Sequence, residues 1–335
     1  MKAVVLPQTG GPEQLRIEEY PTPTAQAGQV RVALQASALN RRDVWITLAR
    51  YPGIRLPCIL GSDGAGIVDQ VGAGVDADWL GREVVVYPAY DWGDDPRYPS
   101  PNFRVLGMPD PGTFAEYICL PSTQVFPKPA HLNWEQAAAL PLAGLTAWRA
   151  VVTQAGLRPG ETVLITGIGG GVATFALKWA CALQAHAWVS SSSQVKIKQA
   201  LRLGAIGGVN YREPNWSEQL LAQTGGVDVI IDGTGGASFN RYLALIKGAG
   251  RIVVYGATAG NPDKGLEMAR LFFRQAQIRG TTMGSMAEFA SLLDCVAAHR
   301  IEPVVYRVFS LEEAVLAHQH LAQAAQMGKI VLRHS

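Results

Sequence analysis

The stretch that decides the fold is Thr162-Val-Leu-Ile-Thr-Gly-Ile-Gly-Gly-Gly-Val-Ala173. The apolar run 163–165 leads into four glycines between 167 and 171. An Ala-rich segment with apolar residues at helical spacing follows (Ala176, Leu177, Trp179, Ala180, Leu183). The order is strand, tight turn, helix. Such a turn lets backbone N–H groups approach a diphosphate and aims the positive end of the helix at it. Gly167, Gly170, Gly171 and Val172 are the candidate contacts. The spacing, Gly-x-x-Gly-x-x-Ala through Ala173, becomes informative only in its context.

Downstream, strands expected at 187–190, 208–211, 227–232 and 250–256 alternate with helices at 196–203, 215–224 and 239–246. Continuous apolar strands alternating with helices specify a parallel, doubly wound α/β sheet covered on both faces. The glycine turn is then the first strand-to-helix turn of a dinucleotide-binding repeat. Tyr255 and Gly256 end a strand on the edge where such folds bind ligands.

Upstream, residues 1–125 hold short runs such as 30–34 and 83–87, interrupted by Gly and Pro. This pattern predicts a compact, partly antiparallel barrel or sandwich. Residues 88–113 form a long loop of low periodicity, which in a compact domain marks function or mobility. Helical spacing covers 134–140, breaks at Pro141 and resumes over 144–154. From 268 the texture changes again: an amphipathic stretch at 270–275, a strand-like 278–280, helices at 286–299 and 311–326, and a last strand at 328–333.

With 335 residues, 48% of them apolar, and a net charge of +2, the chain suits two domains and lacks a basic block for nucleic acid or an anionic membrane. Cys58, Cys119, Cys181 and Cys295 are too scattered for a disulfide framework or a zinc knuckle. No signal peptide or membrane span is evident, and a cytoplasmic setting is expected.

The second strand of an NAD site ends in an acid that binds the ribose 2′-hydroxyl. Here it ends in Ser190, Ser191, Ser192 and Ser193, with Lys196 shortly after. Hydroxyl donors and a cation suit a 2′-phosphate, which an acid would repel. NADPH is the expected cofactor.

The motifs together resemble the medium-chain dehydrogenase/reductase superfamily. They include Ala-Leu-Asn-Arg-Arg-Asp (38–43), Leu-Gly-Ser-Asp-Gly-Ala-Gly (60–66), Gly-Thr-Phe-Ala-Glu-Tyr (112–117), Ala-Ala-Leu-Pro-Leu-Ala-Gly-Leu-Thr-Ala-Trp (138–148) and Gly-Lys-Ile-Val-Leu (328–332). The resemblance implies a chaperonin-10-like catalytic domain over 1–127, a Rossmann domain over 128–267, and a C-terminal segment, 268–335, completing the first. Zinc-dependent members hold their catalytic metal with Cys, His and Cys or an acid. At the matching positions this chain has Asn40, Ser62 and Leu142, with Asp63 following Ser62. The lobe that carries four cysteines in those members has none here. No metal is expected, since alkyl, amide and hydroxyl groups are poor zinc ligands.

Without zinc, the chain looks most like the quinone oxidoreductase branch (zeta-crystallin-like). That resemblance implies that Asn40 borders the nicotinamide and substrate, and that Thr146 lies beside the nicotinamide. Tyr211 would lie near the adenosine end, or serve packing. Asp43 either lines the pocket or braces its turn. The oxygen that gains charge needs a donor, for which Asn40, Tyr51, Tyr87, Ser62 or water are candidates. The expected activity is NADPH-dependent reduction of a quinone or α,β-unsaturated carbonyl. The alternatives are an alcohol dehydrogenase with atypical zinc ligands and a weakly active NADPH-binding sensor or structural protein. The resemblance also implies a homodimer through the edge of the Rossmann sheet.

Overall fold

A computed structural model describes residues 1–334. The chain divides into two units: Met1–Ala143 together with the chain from Gly284 onward, and Gly144–Met283.

The second unit is built on six parallel strands in the spatial order Gly207–Asn210, His186–Ser191, Thr162–Ile165, Val227–Asp232, Ile246–Val254, Gln277–Gly280. By sequence this is 3-2-1-4-5-6, the doubly wound dinucleotide-binding order, and the direction of winding reverses between Thr162–Ile165 and Val227–Asp232. The strands are apolar throughout because helices cover both faces. Leu164, Trp188, Ile230, Ile252, Trp216 and Leu243 share one core cluster. The helix expected at 144–154 begins earlier, at Pro141. It is α-helical over Pro141–Trp148 and widens into π-type turns over Arg149–Gln154. Proline is tolerated there because the first helical residue needs no N–H partner.

The first unit is β-rich. Its seven-stranded sheet runs Val125–Pro127, Glu83–Val86, Asp63–Val71, Gln29–Ala38, Lys329–Arg333, Val305–Ser310, with Tyr117–Pro121 also paired to Gln29–Ala38. A smaller sheet joins Arg16–Glu19, Lys2–Leu6 and Cys58–Ile59. The C-terminal strand lies antiparallel to Gln29–Ala38 with Val331 opposite Ala38. That register carries Lys329 to the start of helix Arg41–Thr47.

Two boundaries differ from expectation. Helix Trp134–Ala139 packs on strands Gln29–Ala38 and Asp63–Val71, so the first unit extends to Ala143 and not to 127. Residues 268–283, expected in the C-terminal segment, belong to the parallel sheet. Gln277–Gly280 pairs with Ile246–Val254 as its edge strand, Arg251 opposite Gln277. The change of texture at 268 marks an exposed helix, Met268–Phe273, inside the second unit.

Candidate functional site

Two clusters of polar groups stand out, one in each unit. In the parallel-sheet unit, the turn after Thr162–Ile165 has Gly167 in the left-handed region (φ +61°). A Cβ there would lie 2.8 Å from Thr234 Cγ2, so glycine is required both sterically and conformationally. Helix Gly171–Ala182 follows, with no side-chain cap and no acid in its first turn. Gly170 is exposed, and Gly171 and Val172 are half-buried. Its N-terminal N–H groups and partial positive charge therefore suit an anion, and these residues fit a dinucleotide diphosphate.

The turn is anchored by a residue that the sequence reading missed. Asp232 ends its strand fully buried. Its Oδ1 accepts hydrogen bonds from Thr166 Oγ1 (2.6 Å), Thr234 Oγ1 (2.7 Å), the Thr234 N–H (3.1 Å) and the Tyr242 hydroxyl (3.3 Å); its Oδ2 accepts from the Gly235 N–H (2.9 Å). Thr166 directly follows, and Asp232 ends, the two strands that flank the winding reversal, so this carboxylate ties together the two turns there. Burial and the Asp232 charge push the Tyr242 and Tyr255 phenols far up, which keeps both neutral. The Tyr255 ring covers Gly233, where a Cβ would come within 2.4 Å of it; Gly256 is half-buried. An acid closing the otherwise apolar 227–232 run is the sequence signal that could have exposed this cluster.

The serine segment has several local roles. Ser190 and Ser191 are buried. The Ser190 carbonyl accepts from the Ile168 N–H (2.9 Å), tying this segment to the glycine turn. Ser191 Oγ accepts from the Ser193 N–H (3.1 Å). Ser193 caps helix Gln194–Arg202 by accepting from the Lys196 N–H (3.4 Å). The Tyr211 N–H donates to the Ser191 carbonyl (3.1 Å), placing Tyr211, 41% exposed, beside the serines. No carboxylate occurs over 186–196. Thr146 is buried, with its hydroxyl 3.9 Å from Met283 Sδ.

In the β-rich unit, the structure brings Asn40, Asp63 and Lys329 together. Asp63 and Lys329 are almost completely buried, and Asn40 is 7% exposed. The Lys329 ammonium donates to the Leu39 carbonyl (2.7 Å), Asn40 Oδ1 (2.6 Å) and Asp63 Oδ2 (2.8 Å), using all three of its N–H bonds. Asn40 Nδ2 donates to the same Asp63 oxygen (2.9 Å), and the Leu142 N–H donates to Asp63 Oδ1 (2.7 Å). The amide orientation follows from its neighbours: its oxygen faces an ammonium and its nitrogen a carboxylate. Lys329 was also missed as a site residue, although a lysine opening an apolar strand is a visible signal.

The remaining candidates lie around this cluster. The Ser62 hydroxyl donates to the Leu106 carbonyl (2.7 Å) and accepts from Arg42 Nη1 (2.9 Å); it is fully buried. Arg42 also donates to the Leu106 and Met108 carbonyls and lies over the Tyr51 ring, 4.9 Å from its centroid. Asp43 Oδ2 accepts from the Asn40 N–H (2.7 Å), which braces the start of helix Arg41–Thr47. Its Oδ1 has no hydrogen-bond partner among the described residues. Burial pushes the Asp43 carboxyl up to about 6, against the opposing pull of Arg42, the Asn40 N–H and Lys329. The Tyr87 hydroxyl donates to the Gly284 carbonyl (2.8 Å).

These residues do not fit a tetrahedral zinc. Asn40 Oδ1 is taken by an ammonium, Ser62 is engaged on both sides, and Leu142 offers Asp63 only its backbone N–H. In the 88–113 loop, Asp91 and Asp110 pair with Arg104, and Asp95 pairs with Arg97 (2.6 Å). Among the described residues no group of three His, Cys, Asp or Glu could hold a metal ion, and no helix is long and apolar enough to cross a membrane.

The sequence model of the zinc-binding dehydrogenase family matches residues 171–298, and that of the alcohol dehydrogenase GroES-like domain matches 26–130. The chain is 36% identical to the zinc-type alcohol dehydrogenase-like protein YogA of Leptosphaeria maculans, covering 96% of this chain and 94% of that one. It is 30% identical to a quinone oxidoreductase of Pseudomonas aeruginosa, covering 96% of each. The crystal structure of an NAD-dependent alcohol dehydrogenase superposes with a TM-score of 0.94 at 38% identity, covering 99% of both chains.

Proposed function

The chain belongs to the medium-chain dehydrogenase/reductase superfamily, and we propose that it is an NADPH-dependent, zinc-independent reductase of quinones or α,β-unsaturated carbonyls. The observation that carries this reading is the Lys329 ammonium seated among the Leu39 carbonyl, Asp63 and Asn40, the last at the position that matches a zinc-ligating Cys in zinc-dependent relatives. Bound in the glycine turn, the nicotinamide would supply a hydride. The chain's own residues then have three tasks. The uncapped helix Gly171–Ala182 and the Asp232-anchored turns hold the diphosphate. Ser191, Lys196 and Tyr211 receive the 2′-phosphate, with no carboxylate over 186–196 to repel it. Asn40 gives a hydrogen bond to the substrate oxygen as it gains charge. Reduction of a quinone demands little acid–base catalysis, which suits a site without a titrating histidine.

The test is consumption of NADPH and of NADH against a panel of quinones and enones, with metal analysis of the protein. Turnover with NADPH preferred, insensitive to chelators, is the expected result. About one zinc per subunit with activity lost on chelation would sink the proposal. The similarity to an NAD-dependent alcohol dehydrogenase supports a second reading, oxidation of an alcohol with NAD, which the same assay run with NAD and alcohols would reveal. Tight NADPH binding without turnover would indicate a sensor.

We also propose a homodimer through the sheet edge. Edge strand Gln277–Gly280 leaves Ile278 37% exposed, and the neighbouring helix presents Phe272 and Phe273 at 60% and 81% exposure. An unpaired edge beside such an apolar patch favours a second copy. Phe273→Asp is expected to give a monomer by light scattering.

A further inference from the structure

We infer that Lys329 is a positioning residue for the proposed reduction: it fixes and polarises the Asn40 amide so that the free amide N–H becomes the donor to the substrate oxygen. The inference rests on the reductase reading and deepens it. The Asn40 amide carries two N–H bonds. One is taken by Asp63, and the other has no hydrogen-bond partner among the described residues. Asn40 is 7% exposed, which keeps its amide out of bulk solvent. Lys329 sits 2.6 Å from the amide oxygen and Asp63 2.9 Å from the nitrogen, so a flip would set the oxygen against a carboxylate and the NH2 against an ammonium. Both contacts would turn repulsive. The preferred orientation is therefore held electrostatically in a region of low dielectric, where such terms are large.

The ammonium also acts on donor strength. Positive charge at an amide oxygen draws electrons from the nitrogen and makes its N–H a better donor. A bound nicotinamide would supply the hydride that the electron-poor carbon of the acceptor takes up. A π pair moves onto the acceptor oxygen, which takes the Asn40 hydrogen bond and then a proton from solvent. NADPH is oxidised by two electrons, the acceptor is reduced by two, and the amide keeps both of its protons. A donor fixed before the charge develops avoids reorganisation at that moment. The Lys329 ammonium, with all its N–H bonds spent on protein oxygens, acts only through Asn40.

The experiment is a double-mutant cycle read in kcat, KM and NADPH affinity. Asn40→Ala is expected to lower kcat by about 100-fold, the usual loss for one oxyanion donor, with the NADPH Kd unchanged. Lys329→Met is expected to lower kcat nearly as far although Asn40 remains. The double variant is expected to be no slower than Asn40→Ala alone, because both changes remove one function. Lys329→Arg, which keeps the cation, is expected to recover most of the activity. Should Lys329→Met fail to fold with Asp63 unpaired, the charge-neutral pair Asp63→Asn with Lys329→Met takes its place. Wild-type kcat in Asn40→Ala, or losses that multiply in the double variant, would overturn the inference and leave the reductase reading intact. A wild-type protein inert to every quinone and enone would overturn both.

Discussion

Asp63 and Asp232 are both fully buried carboxylates, yet the two units stabilise them by different means. Asp63 has a cation, Lys329, at 2.8 Å. Asp232 has none in contact among the described residues and is held by hydroxyl and backbone N–H donors from Thr166, Thr234, Gly235 and Tyr242. A buried ion pair balances two desolvation costs against one attraction, so it tolerates loss of both partners better than loss of one. A carboxylate ringed by neutral donors distributes its charge over several modest bonds and organises the loops that supply them. The first arrangement fixes a side chain, Asn40; the second fixes backbone, at the turns that flank the winding reversal.

The largest effect expected from breaking this contrast is on the ion pair. Lys329→Met strands Asp63 without a counter-charge and should cost about 4 kcal/mol in denaturant unfolding. Asp63→Asn added to it should recover most of that loss, since no buried charge then remains. If the single and double variants are equally destabilised, packing of the lysine stem matters and the pairing does not.

Asp232→Ala should cost somewhat less, about 3 kcal/mol, because the loss is spread over donors of which some can turn to water. Its second consequence distinguishes the two carboxylates. NADPH binding should weaken in Asp232→Ala and stay unchanged in the Asp63→Asn, Lys329→Met pair. Calorimetric titration of each variant checks this.

These clusters also divide what was legible in the sequence from what was not. The parallel sheet was legible because each strand is a continuous apolar run between helical segments, a local pattern. The glycine turn was legible for the same reason. Lys329 was visible as part of Gly-Lys-Ile-Val-Leu, but its role depends on Asn40, 289 positions away, and on a strand register that no local pattern encodes. Asp232 likewise acts through Thr166, 66 positions upstream. The boundary at 268 was misplaced because an exposed helix and an exposed edge strand carry little of the apolar pattern that marks a sheet. Ser193 looked like one of four phosphate donors, whereas its oxygen caps a helix; capping and anion binding favour the same residue type.

Acid acts on other buried groups of the β-rich unit, His318, His334 and Asp43. Burial holds His318 and His334 neutral and lowers each to about 4. An unfolded histidine takes up a proton near pH 6.5, so stability is lost as pH falls from 6.5 towards 4, by about 1.4 kcal/mol per pH unit for each. Asp43 works in the opposite sense. Raised from 3.8 to about 6, it is protonated in the folded state first, and folding gains as pH falls between those values. The three together leave one histidine's worth of acid sensitivity between pH 6 and 4. His318→Leu, which removes a ring nitrogen with no hydrogen-bond partner among the described residues, should flatten that limb in urea unfolding across pH. Asp43→Asn should steepen it.

The smallest effect should come from an ion pair with nearly the same contact distance. Arg31 and Asp69 meet through Nε–Oδ1 at 3.0 Å and Nη2–Oδ2 at 2.9 Å, a two-point contact better formed than the single 2.8 Å bond of Lys329 to Asp63. Contact geometry alone would rank it higher. Yet both side chains remain in contact with water, 20% and 29% exposed, against 4% and 0% for the buried pair. Solvent screens the attraction and rehydrates whichever partner is left behind. Asp69→Asn should therefore cost less than about 1 kcal/mol, and 0.5 M salt should abolish most of that difference while leaving the Lys329→Met penalty largely intact. A salt-insensitive loss in Asp69→Asn as large as that of Lys329→Met would mean that geometry, and not burial, sets the strength of ion pairs in this protein.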